Sequence, residues 1–313
     1  MAKLFSKFKT DNDTGFGASA SSQAKRFINK DGSYNVERTG VSFFNKFNSF
    51  HDLIAISWSK FNLLILAVYL LMNLFFTGIY WLIGVEHLGG MIAETPSEKI
   101  MEAFFFSCQT FSTVGYGRIN PQGNLISAIA ALESLVGLMS FALATGLIYG
   151  RFARPNIKLL QSQNAIIAPY KNGKALMFRI VNARKNPLIE LEVTLMASLF
   201  TAENPAVQFI PLKLERKSIT SLVLSWTIVH PIDEESPLFN LTAKDFEDID
   251  LQLLFFLKAF DESYSQTVHT RTGYANKEII WNKKFVPMFS PSEDGTTTLL
   301  HLEKLNETID VTL

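Results

Sequence analysis

Two long apolar runs dominate the hydropathy pattern of this chain. Residues 57–84 carry one charge, Lys60, and residues 121–150 also carry only one, Glu133. Because about 20 apolar residues cross the hydrocarbon core of a membrane as a helix, each run predicts a transmembrane helix. We name them the outer helix and the inner helix. Aromatic residues typical of the membrane interface lie near the ends of the first run: Trp58, Tyr80 and Trp81.

The apolar segment between these runs is too short to span. We predict a helix over 97–110, preceded by Pro96 and with Ser97 as its N-cap. The helix leads directly into irregular backbone, which at membrane depth is tolerated only where protein or a water-filled path surrounds it. The pattern therefore indicates a re-entrant pore helix whose partially negative C-terminal end points toward an ion path.

The sequence of the loop after this helix is Thr113-Val114-Gly115-Tyr116-Gly117. It is identical to the known selectivity-filter sequence of potassium channels. A dehydrated K⁺ ion needs stacked oxygen ligands, and glycines at φ > 0 let alternate peptides turn their carbonyl oxygens inward. Thr113 can add its hydroxyl, while we expect Val114 and Tyr116 to pack behind the loop. One chain supplies one wall, so we expect four identical chains around the axis. The competing interpretation is an ordinary tight turn.

The residues before the outer helix form two segments. Residues 1–42 are mostly polar and lack the apolar core of a signal peptide, so we expect a flexible cytoplasmic tail. Residues 43–56 place Phe, Leu and Ile at helical spacing between polar residues. This pattern predicts an amphipathic slide helix lying along the membrane interface, with an ordinary surface helix as the alternative.

Basic residues are concentrated before the outer helix and after the inner helix, and few lie between the spans. This bias predicts a multi-pass membrane protein with both termini in the cytoplasm. Each such charge gains about 1 kcal/mol near an anionic leaflet, so we expect anionic lipids as partners. The alternative is that these charges set topology alone. The basic cluster consists of Lys46, Lys60, Arg151, Arg154 and Lys158.

The second half of the chain has a different sequence pattern. Runs at 174–182, 189–200, 221–229 and 250–260 are rich in β-branched and large apolar residues, and turn signals separate them. Short strands at such spacing predict a sandwich, here a cytoplasmic domain over 156–313. The predicted fold class is a membrane α domain, with two transmembrane helices and a re-entrant pore helix, joined to a soluble all-β immunoglobulin-like sandwich.

Composition argues against several other classes. The formal net charge of zero gives no footprint for nucleic acid. Cys108 is the single cysteine, which excludes an intrachain disulfide and a thiolate metal cluster. An enzyme anchored by two spans would need a nucleophile or metal site, and Cys108 has no evident base beside it. A channel-like protein that senses without conducting would be expected to carry a broken filter, and this one is intact.

Four further groups of residues carry a family resemblance. They are Phe105-Phe106-Ser107 before the filter, Arg151-Phe152-Ala153-Arg154-Pro155, Phe178-Arg179-Ile180-Val181-Asn182 with Arg184-Lys185, and Ser225-Trp226-Thr227 with His230-Pro231-Ile232-Asp233-Glu234 and Ser236-Pro237-Leu238. Together with the filter, they resemble the inward-rectifier potassium channels, most closely the prokaryotic (KirBac-type) members, over residues 43–289. The resemblance implies passive K⁺ conduction through a homotetramer, and it also implies membership of the voltage-gated group of channels.

The resemblance further implies a gate where the inner helices cross, with Tyr149 as the bulky gate residue and Gly146 as the hinge. Gly137 also interrupts the inner helix and permits bending or close helix contact. Four Tyr149 rings would close the pore by excluding water and ions. An interfacial aromatic anchor is the alternative for Tyr149.

Glu133 is an ionisable residue inside a span and is therefore a functional hypothesis. It can support the filter from behind or attract cations below it, and the alternative is a buried structural hydrogen bond to the pore helix. His230 in the soluble half can sense pH or be a packed structural residue, and we favour the structural role.

Two positions depart from the family pattern. Phe141 stands where eukaryotic members carry an acidic residue that traps polyamines or Mg²⁺, so strong rectification is not expected. Gln109 stands where many relatives have a glutamate, so any glutamate–arginine brace of the filter is absent or rebuilt around Arg118. We expect no cofactor beyond permeant K⁺, with Mg²⁺, Ba²⁺ or polyamines as blockers. The family's loop around the cytoplasmic entrance is matched by Gly273, Tyr274 and Ala275.

Overall fold

The computed structural model describes residues 26–37, 39–40, 49–155, 157–201 and 204–313. The chain divides into two compact units. The membrane unit is Gly40–Arg154, and the β unit combines Pro155–Leu313 with the described residues up to Thr39.

The membrane unit is helical, and two of its helices are long and apolar enough to cross a membrane. Its helices are α1 Ser49–Ala55, α2 Trp58–Ile83, α3 Pro96–Phe111 and α4 Asn124–Phe152, and a short antiparallel pair consists of β1 Leu88–Gly89 and β2 Asn120–Pro121. The predicted outer and inner helices are therefore found as α2 and α4. The predicted slide helix agrees with α1 from Ser49 onward, and residues 43–48 lie outside the described residues.

The inner helix begins later than predicted because Gly123, at φ 96°, and the β2 pairing of Pro121 are incompatible with a helix there. The pore helix also begins differently. Its N-cap is Thr95 and not Ser97, since the Thr95 side chain accepts from the Glu98 amide while Glu98 accepts from the Thr95 amide. This reciprocal capping box places Pro96 inside the helix, where its missing N–H costs nothing.

One stripe of the inner helix is buried against the other helices. It consists of Ile126, Ala130, Glu133 and Gly137, which recur at helical spacing. Tyr80 of α2 and Ala103 and Phe106 of α3 share the same apolar cluster with Ile126 and Ala130. The stripe therefore holds the pore helix between the outer and inner helices of the chain.

The β unit contains two sheets of five strands. The elements of this unit are β3 Leu159–Gln161, β4 Ala165–Tyr170, β5 Gly173–Asn182, β6 Leu188–Thr201, β7 Asn204–Pro211, β8 Ser218–Ser221, β9 Ser225–Ile232, α5 Ala243–Asp248, β10 Gln252–Asp261, β11 Gln266–Tyr274, β12 Ile279–Trp281, β13 Lys283–Phe285, β14 Phe289–Pro291, β15 Thr298–Leu300 and β16 Thr308–Asp310. One of the two sheets has the order β11-β10-β6-β7, with β8 also paired to β6, and the other has the order β12-β4-β5-β3, with β9 also paired to β5.

The two sheets pack face to face around one core. Phe178 of β5 meets Phe255 of β10 edge-on, with ring centroids 5.0 Å apart, and both side chains are fully buried. Such pairs add about 0.5–1.5 kcal/mol to the gain from burial alone. The predicted sandwich is confirmed. The apolar run at 221–229, predicted as one strand, is divided between β8 and β9.

The predicted flexible tail is wrong for residues 26–37, which pack on the β unit. Phe27 and Ile28 are buried against Phe209 and Leu254, and Ile28 also bridges to Tyr34. Burying these apolar side chains stabilises the segment by roughly 1.5–3 kcal/mol each. The remaining residues of the predicted tail, apart from 39 and 40, lie outside the described residues.

Candidate ion-conduction site

The loop between α3 and β2 has an alternating backbone. Thr113, Gly115 and Gly117 lie at φ 60°, 51° and 84°, whereas Val114 and Tyr116 between them have negative φ. Because φ alternates in sign along the loop, successive carbonyl groups can point to the same side. Their oxygens can then form a single row. The expected positive φ of the two glycines is therefore present.

Thr113 is the residue that sequence reasoning missed in this alternation. A β-branched residue at φ 60° is a conformational outlier, which costs on the order of 1–3 kcal/mol. No local sequence signal predicts it, because threonine normally avoids this region. The surrounding hydrogen bonds must therefore impose the conformation.

Those hydrogen bonds come from the end of the pore helix. The Gln109 carbonyl oxygen accepts from the amides of Val114 at 2.9 Å and Gly115 at 3.3 Å, and the Thr110 carbonyl oxygen accepts from Thr113 at 3.0 Å. Free carbonyls at a helix C-terminus need such donors. Gln109 thus holds the inner end of the loop through its backbone.

The loop is not packed by its own chain. Val114 is 53% exposed and Tyr116 is 81% exposed, and the other three residues of the loop are also exposed. The expected packing of Val114 and Tyr116 behind the loop is therefore not formed within one subunit.

The outer end of the loop is tied by an ion pair. Arg118 Nη2 lies 2.9 Å from Glu102 Oε1 of the pore helix. Glu102 Oε2 also accepts from the amides of Ile92 at 3.0 Å and Ala93 at 3.3 Å. Arg118 therefore pairs with a glutamate of the pore helix, at position 102 and not at position 109.

Glu133 is fully buried and joins three helices. Tyr80 Oη of α2 donates to Glu133 Oε2 at 2.5 Å, and Ser107 Oγ of α3 donates to Glu133 Oε1. Ser107 Oγ also lies 3.1 Å from Asn73 Oδ1. The expected protein-facing position is confirmed, and the contact is a hydrogen bond to the pore helix.

The two glycines of the inner helix have different surroundings. A Cβ at Gly137 would collide with the Phe111 carbonyl oxygen, whereas a Cβ at Gly146 would meet nothing within 4 Å. The helix is continuous past both residues. Gly137 therefore permits close contact with the pore helix, whereas Gly146 has open space around it. Tyr149, in the last turns of the helix, is 75% exposed.

A groove of about 680 Å³ runs below the filter loop within the membrane unit. Thr113 and Phe141 both line it, together with Ser112, Leu138 and further apolar residues of the outer and inner helices. None of the residues described along the groove is acidic. Phe141 therefore belongs to the same surface as the inner end of the filter.

Arg151 differs from the rest of the predicted basic cluster. Its guanidinium donates to the carbonyl oxygens of Leu53 at 2.7 Å, Ile54 at 3.0 Å and Ile56 at 2.8 Å, and it stacks 4.5 Å from the Trp58 ring centroid. A cation at the C-terminal end of a helix donates hydrogen bonds to the free carbonyl oxygens there and interacts favourably with the helix dipole. The prediction of a lipid-facing Arg151 is therefore wrong. Lys60, Arg154 and Lys158 are exposed as expected, and Lys46 lies outside the described residues.

The predicted cytoplasmic loop at Gly273, Tyr274 and Ala275 is also wrong. Gly273 and Tyr274 end strand β11, where Tyr274 is fully buried and donates to the Ser162 carbonyl at 2.9 Å. A Cβ at Gly273 would lie 2.8 Å from the Ile28 carbonyl oxygen. The docked N-terminal segment therefore covers this strand end. Ala275 follows as the first residue of the next turn.

Charged residues fix the docked segment. Arg26 pairs with Glu278 at 3.0 Å and donates to the Gly273 carbonyl at 2.6 Å. Lys30 Nζ lies 3.9 Å above the Tyr274 ring, and burial lowers the pKa of Lys30 to about 8, against the raising effect of Glu278. The sequence signal for this docking is the pair Phe27 and Ile28 beside basic residues.

His230 of β9 is buried and has partners on both ring nitrogens. Nδ1 lies 2.6 Å from the Lys213 carbonyl oxygen and Nε2 lies 2.8 Å from Ser236 Oγ. Burial lowers the pKa of His230 below its ordinary value. The geometry is that of the structural role favoured from the sequence.

Comparison with known families supports an ion-channel assignment for this arrangement of spans, re-entrant helix and loop. A family model described as "Ion channel" matches residues 63–153. A second model, described as "Inward rectifier potassium channel C-terminal domain", matches residues 159–313. The membrane unit and the sandwich thus belong to one kind of membrane protein, an ion channel with a C-terminal β domain.

Full-length relatives narrow the class. The chain is 34% identical over 278 residues to the inward rectifier potassium channel Kirbac3.1 of Paramagnetospirillum magnetotacticum, covering 88% of this chain and 92% of the relative. It is 29% identical over 313 residues to the ATP-sensitive inward rectifier potassium channel 12 of Gallus gallus, covering 90% and 72%. The chain belongs to the inward-rectifier potassium channel family and is a potassium channel.

Voltage gating finds no support in these comparisons or in the spans. A voltage sensor carries a series of arginines within a membrane helix. The two spanning helices contain Lys60 and Arg151 as their only basic residues, and each lies near a helix end.

Proposed function

We propose that Thr113, Val114, Gly115, Tyr116 and Gly117 form the potassium-selectivity filter of this channel. The observation that carries the proposal is the alternation of positive φ at Thr113, Gly115 and Gly117. It supports a stack of backbone carbonyl oxygens, which can replace the hydration shell of K⁺. The Thr113 hydroxyl adds a ligand at the inner end.

The conducting species is a homotetramer. Each chain offers one row of carbonyls and leaves the whole loop exposed, with Val114 and Tyr116 unpacked by their own subunit. Four copies around an axis would enclose the ion path and cover these side chains. Glu133 supports the filter indirectly, because it holds Ser107 of the pore helix.

Gating takes place near the end of the inner helix. Tyr149 projects from the helix and is largely free of contacts in its own subunit, so four copies can meet at the axis. Gly146 lies one turn before it and has open space around its Cα, which suits a hinge. The cytoplasmic sandwich sets the position of this gate.

Block by polyamines or Mg²⁺ from the inner side is weak. Phe141 and its neighbours along the groove supply no carboxylate to hold a multivalent cation. Ba²⁺, which competes for the carbonyl sites of the filter, blocks K⁺ flux. The channel needs no cofactor, and its transport is passive, without a catalytic step.

Anionic lipids regulate the channel through Lys60, Arg154 and Lys158, with Lys46. The first three are exposed, while Arg151 is already engaged with backbone carbonyls. Both termini lie on the cytoplasmic side of the inner membrane, where these charges meet an anionic leaflet. The test is K⁺ flux from liposomes with and without an anionic phosphoinositide. Equal flux in the two cases would contradict the proposed regulation.

The filter itself is tested by Gly115→Ala. An added Cβ at φ 51° costs about 1–2 kcal/mol, and it strains the loop in all four subunits. We expect K⁺ flux from proteoliposomes to be lost in this variant. The matched control is Gly295→Ala, since Gly295 lies at φ 68° with nothing within 4 Å in the β unit. Selective flux retained in Gly115→Ala would overturn the assignment.

A further inference from the structure

Two histidines among the described residues have a serine hydroxyl beside the Nε2 atom of the ring. His230 is 1% exposed and its partner Ser236 is 3% exposed, so this pair is closed to solvent and structural. The second pair is Ser290 and His301, with Oγ and Nε2 2.8 Å apart, and both of its residues are partly exposed. Of the two pairs, the second is therefore the one that a molecule in solution can reach.

The hairpin of β14 and β15 brings Ser290 and His301 together. Ser290 pairs directly with Leu299, and side chains two positions apart on an extended chain lie on the same face. His301 continues the extended backbone, at φ −93° and ψ 92°, and its amide donates to the Met288 carbonyl oxygen at 2.7 Å. Ser290 and His301 are thus diagonal neighbours on one face of the hairpin, a separation that long side chains can bridge.

Glu303, in the short 3₁₀ helix that follows, completes the arrangement. Its Oε1 lies 3.1 Å from His301 Nδ1, and the side chains of the histidine and the acid are 27% and 69% exposed. A hydrogen bond from its own amide, and then the charge of His301, hold the pKa of Glu303 below its ordinary value. An ionised carboxylate can only accept, so Nδ1 carries the ring proton. In the neutral ring, Nε2 is then left to accept from the Ser290 hydroxyl.

The order of these contacts is nucleophile, base and orienting acid, each through the ring nitrogen that acyl transfer requires. His301 can take the hydroxyl proton as Ser290 attacks, and Glu303 can stabilise the imidazolium that forms. Leu299, directly opposite Ser290, is 45% exposed and offers apolar surface beside the hydroxyl. The ligand chemistry that fits is therefore an ester with a small apolar acyl group.

We propose that Ser290 is a nucleophilic modification site that accepts acyl groups from activated esters, with His301 as its base and Glu303 as the positioning residue. The reactivity is separate from ion conduction and does not depend on the filter. Ser290 Oγ forms a bond to the ester carbonyl carbon while its proton passes to His301 Nε2. The bond from that carbon to the alcohol oxygen then breaks, and the alcohol leaves with the proton from His301. The products are acylated Ser290 and the free alcohol.

The test treats the full-length channel in detergent with p-nitrophenyl butyrate and follows acylation by fragment-ion mass spectrometry, which resolves neighbouring serines. Because general-base assistance contributes about 10²–10⁴-fold, we expect Ser290 to be acylated about 100-fold faster than Ser292. Ser292 is the matched control, since it lies in the turn of the same hairpin and its hydroxyl donates to Asp294. Ser236 should remain unlabelled, because its histidine is closed to solvent.

Two variants separate a chemical role from a structural one. His301→Gln should lower the rate of acylation at Ser290 by about 100-fold, and added imidazole should restore part of it by replacing the missing base. Glu303→Gln should lower the rate by about tenfold, the scale of one charge-assisted hydrogen bond, and should not respond to imidazole because His301 is still present. A residue that only stabilises the hairpin would give no rescue by imidazole.

The wild-type channel alone can decide the question, so the test does not depend on a variant that folds. Equal rates of acylation at Ser290 and at either control serine would overturn the proposal. An unchanged rate at Ser290 in His301→Gln would overturn it as well. Neither result would bear on the filter, whose test is K⁺ flux.

Discussion

The guanidinium of Arg151 donates a hydrogen bond of 2.7 Å to the carbonyl oxygen of Leu53, which joins the C-terminal end of the inner helix to the C-terminal end of α1. Two further carbonyl oxygens and the rings of Trp58 and Phe61 complete the contact. A movement of either helix end must therefore move the other or break this contact. Helix α1 is thus mechanically coupled to the inner helix, on which the proposed gate lies.

Arg151→Gln should destabilise the channel because an uncharged, shorter side chain leaves carbonyl oxygens without donors. We expect a loss on the order of 2 kcal/mol per chain, measured as a lower melting temperature of the detergent-solubilised channel. The matched control is Arg154→Gln, which removes an exposed charge three residues away and should melt like the wild type. Equal melting of the two variants would contradict the coupling.

The hydrogen bonds of the Glu133 carboxylate predict a graded loss of stability in a series of variants. Glu133→Leu leaves the Tyr80 hydroxyl without its acceptor, at a cost of about 1–3 kcal/mol, whereas Ser107 can still donate to Asn73. Glu133→Gln keeps one acceptor oxygen and should be less destabilising. The measurement is the fraction of tetramer surviving heating in detergent. Adding Tyr80→Phe to Glu133→Leu should cost little more, and a full additive loss would show that the two groups act independently.

Gly137 and Gly146 form a matched pair on one helix. Gly137→Ala places a Cβ against the Phe111 carbonyl oxygen, so we expect overpacking of about 1–3 kcal/mol and a reduced tetramer yield. Gly146→Ala has open space and should keep the wild-type yield, while its stiffer helix slows channel opening. Size-exclusion chromatography and flux assays separate the two effects. A normal yield for Gly137→Ala would contradict the close contact.

The burial of His230 predicts that the stability of the β unit depends on pH. Because burial lowers the folded-state pKa of His230, the unfolded chain takes up a proton at its ordinary pKa of 6.5 before the folded chain does. Stability is therefore fully present above pH 6.5 and is lost as pH falls toward the folded-state pKa, by up to about 1.4 kcal/mol per pH unit. Melting of the solubilised channel, followed by tryptophan fluorescence at several pH values, measures this slope.

The variant His230→Asn should flatten the slope, although it also lowers stability at neutral pH by weakening the contacts to Lys213 and Ser236. The control is His269→Asn, since His269 is exposed on β11. It should retain the wild-type slope. An unchanged slope in His230→Asn would assign the pH dependence to other groups.

Much of the architecture follows from the sequence because its signals are local. The length of an apolar run determines whether it spans, and the filter sequence contains the glycines that its backbone requires. Both spans, the pore helix and the sandwich were predicted on this basis. The predicted helix bounds are wrong by only a few residues. Thr95 caps the start of the pore helix, and the backbone of Gly123 delays the start of the inner helix.

The contacts that were missed are long-range. Arg151 meets Leu53, Arg118 meets Glu102, and Gly273 meets Ile28, each pair from separate elements. A single sequence shows the charge of Arg151 but not the carbonyl oxygens around it, so it was assigned to lipid. The buried position of Tyr274 and the positive φ of Thr113 likewise depend on neighbours brought together only by the fold.

Ion selectivity of the purified channel tests the central claim most directly. Full-length protein would be reconstituted into planar bilayers of several lipid compositions, with K⁺ on one side and Na⁺ on the other, and the reversal potential measured before and after adding Ba²⁺. The filter assigned to Thr113–Gly117 predicts a reversal potential close to that of a membrane permeable to K⁺ alone, and a current that Ba²⁺ blocks. A reversal potential near zero, or a current carried equally by Na⁺, would contradict it.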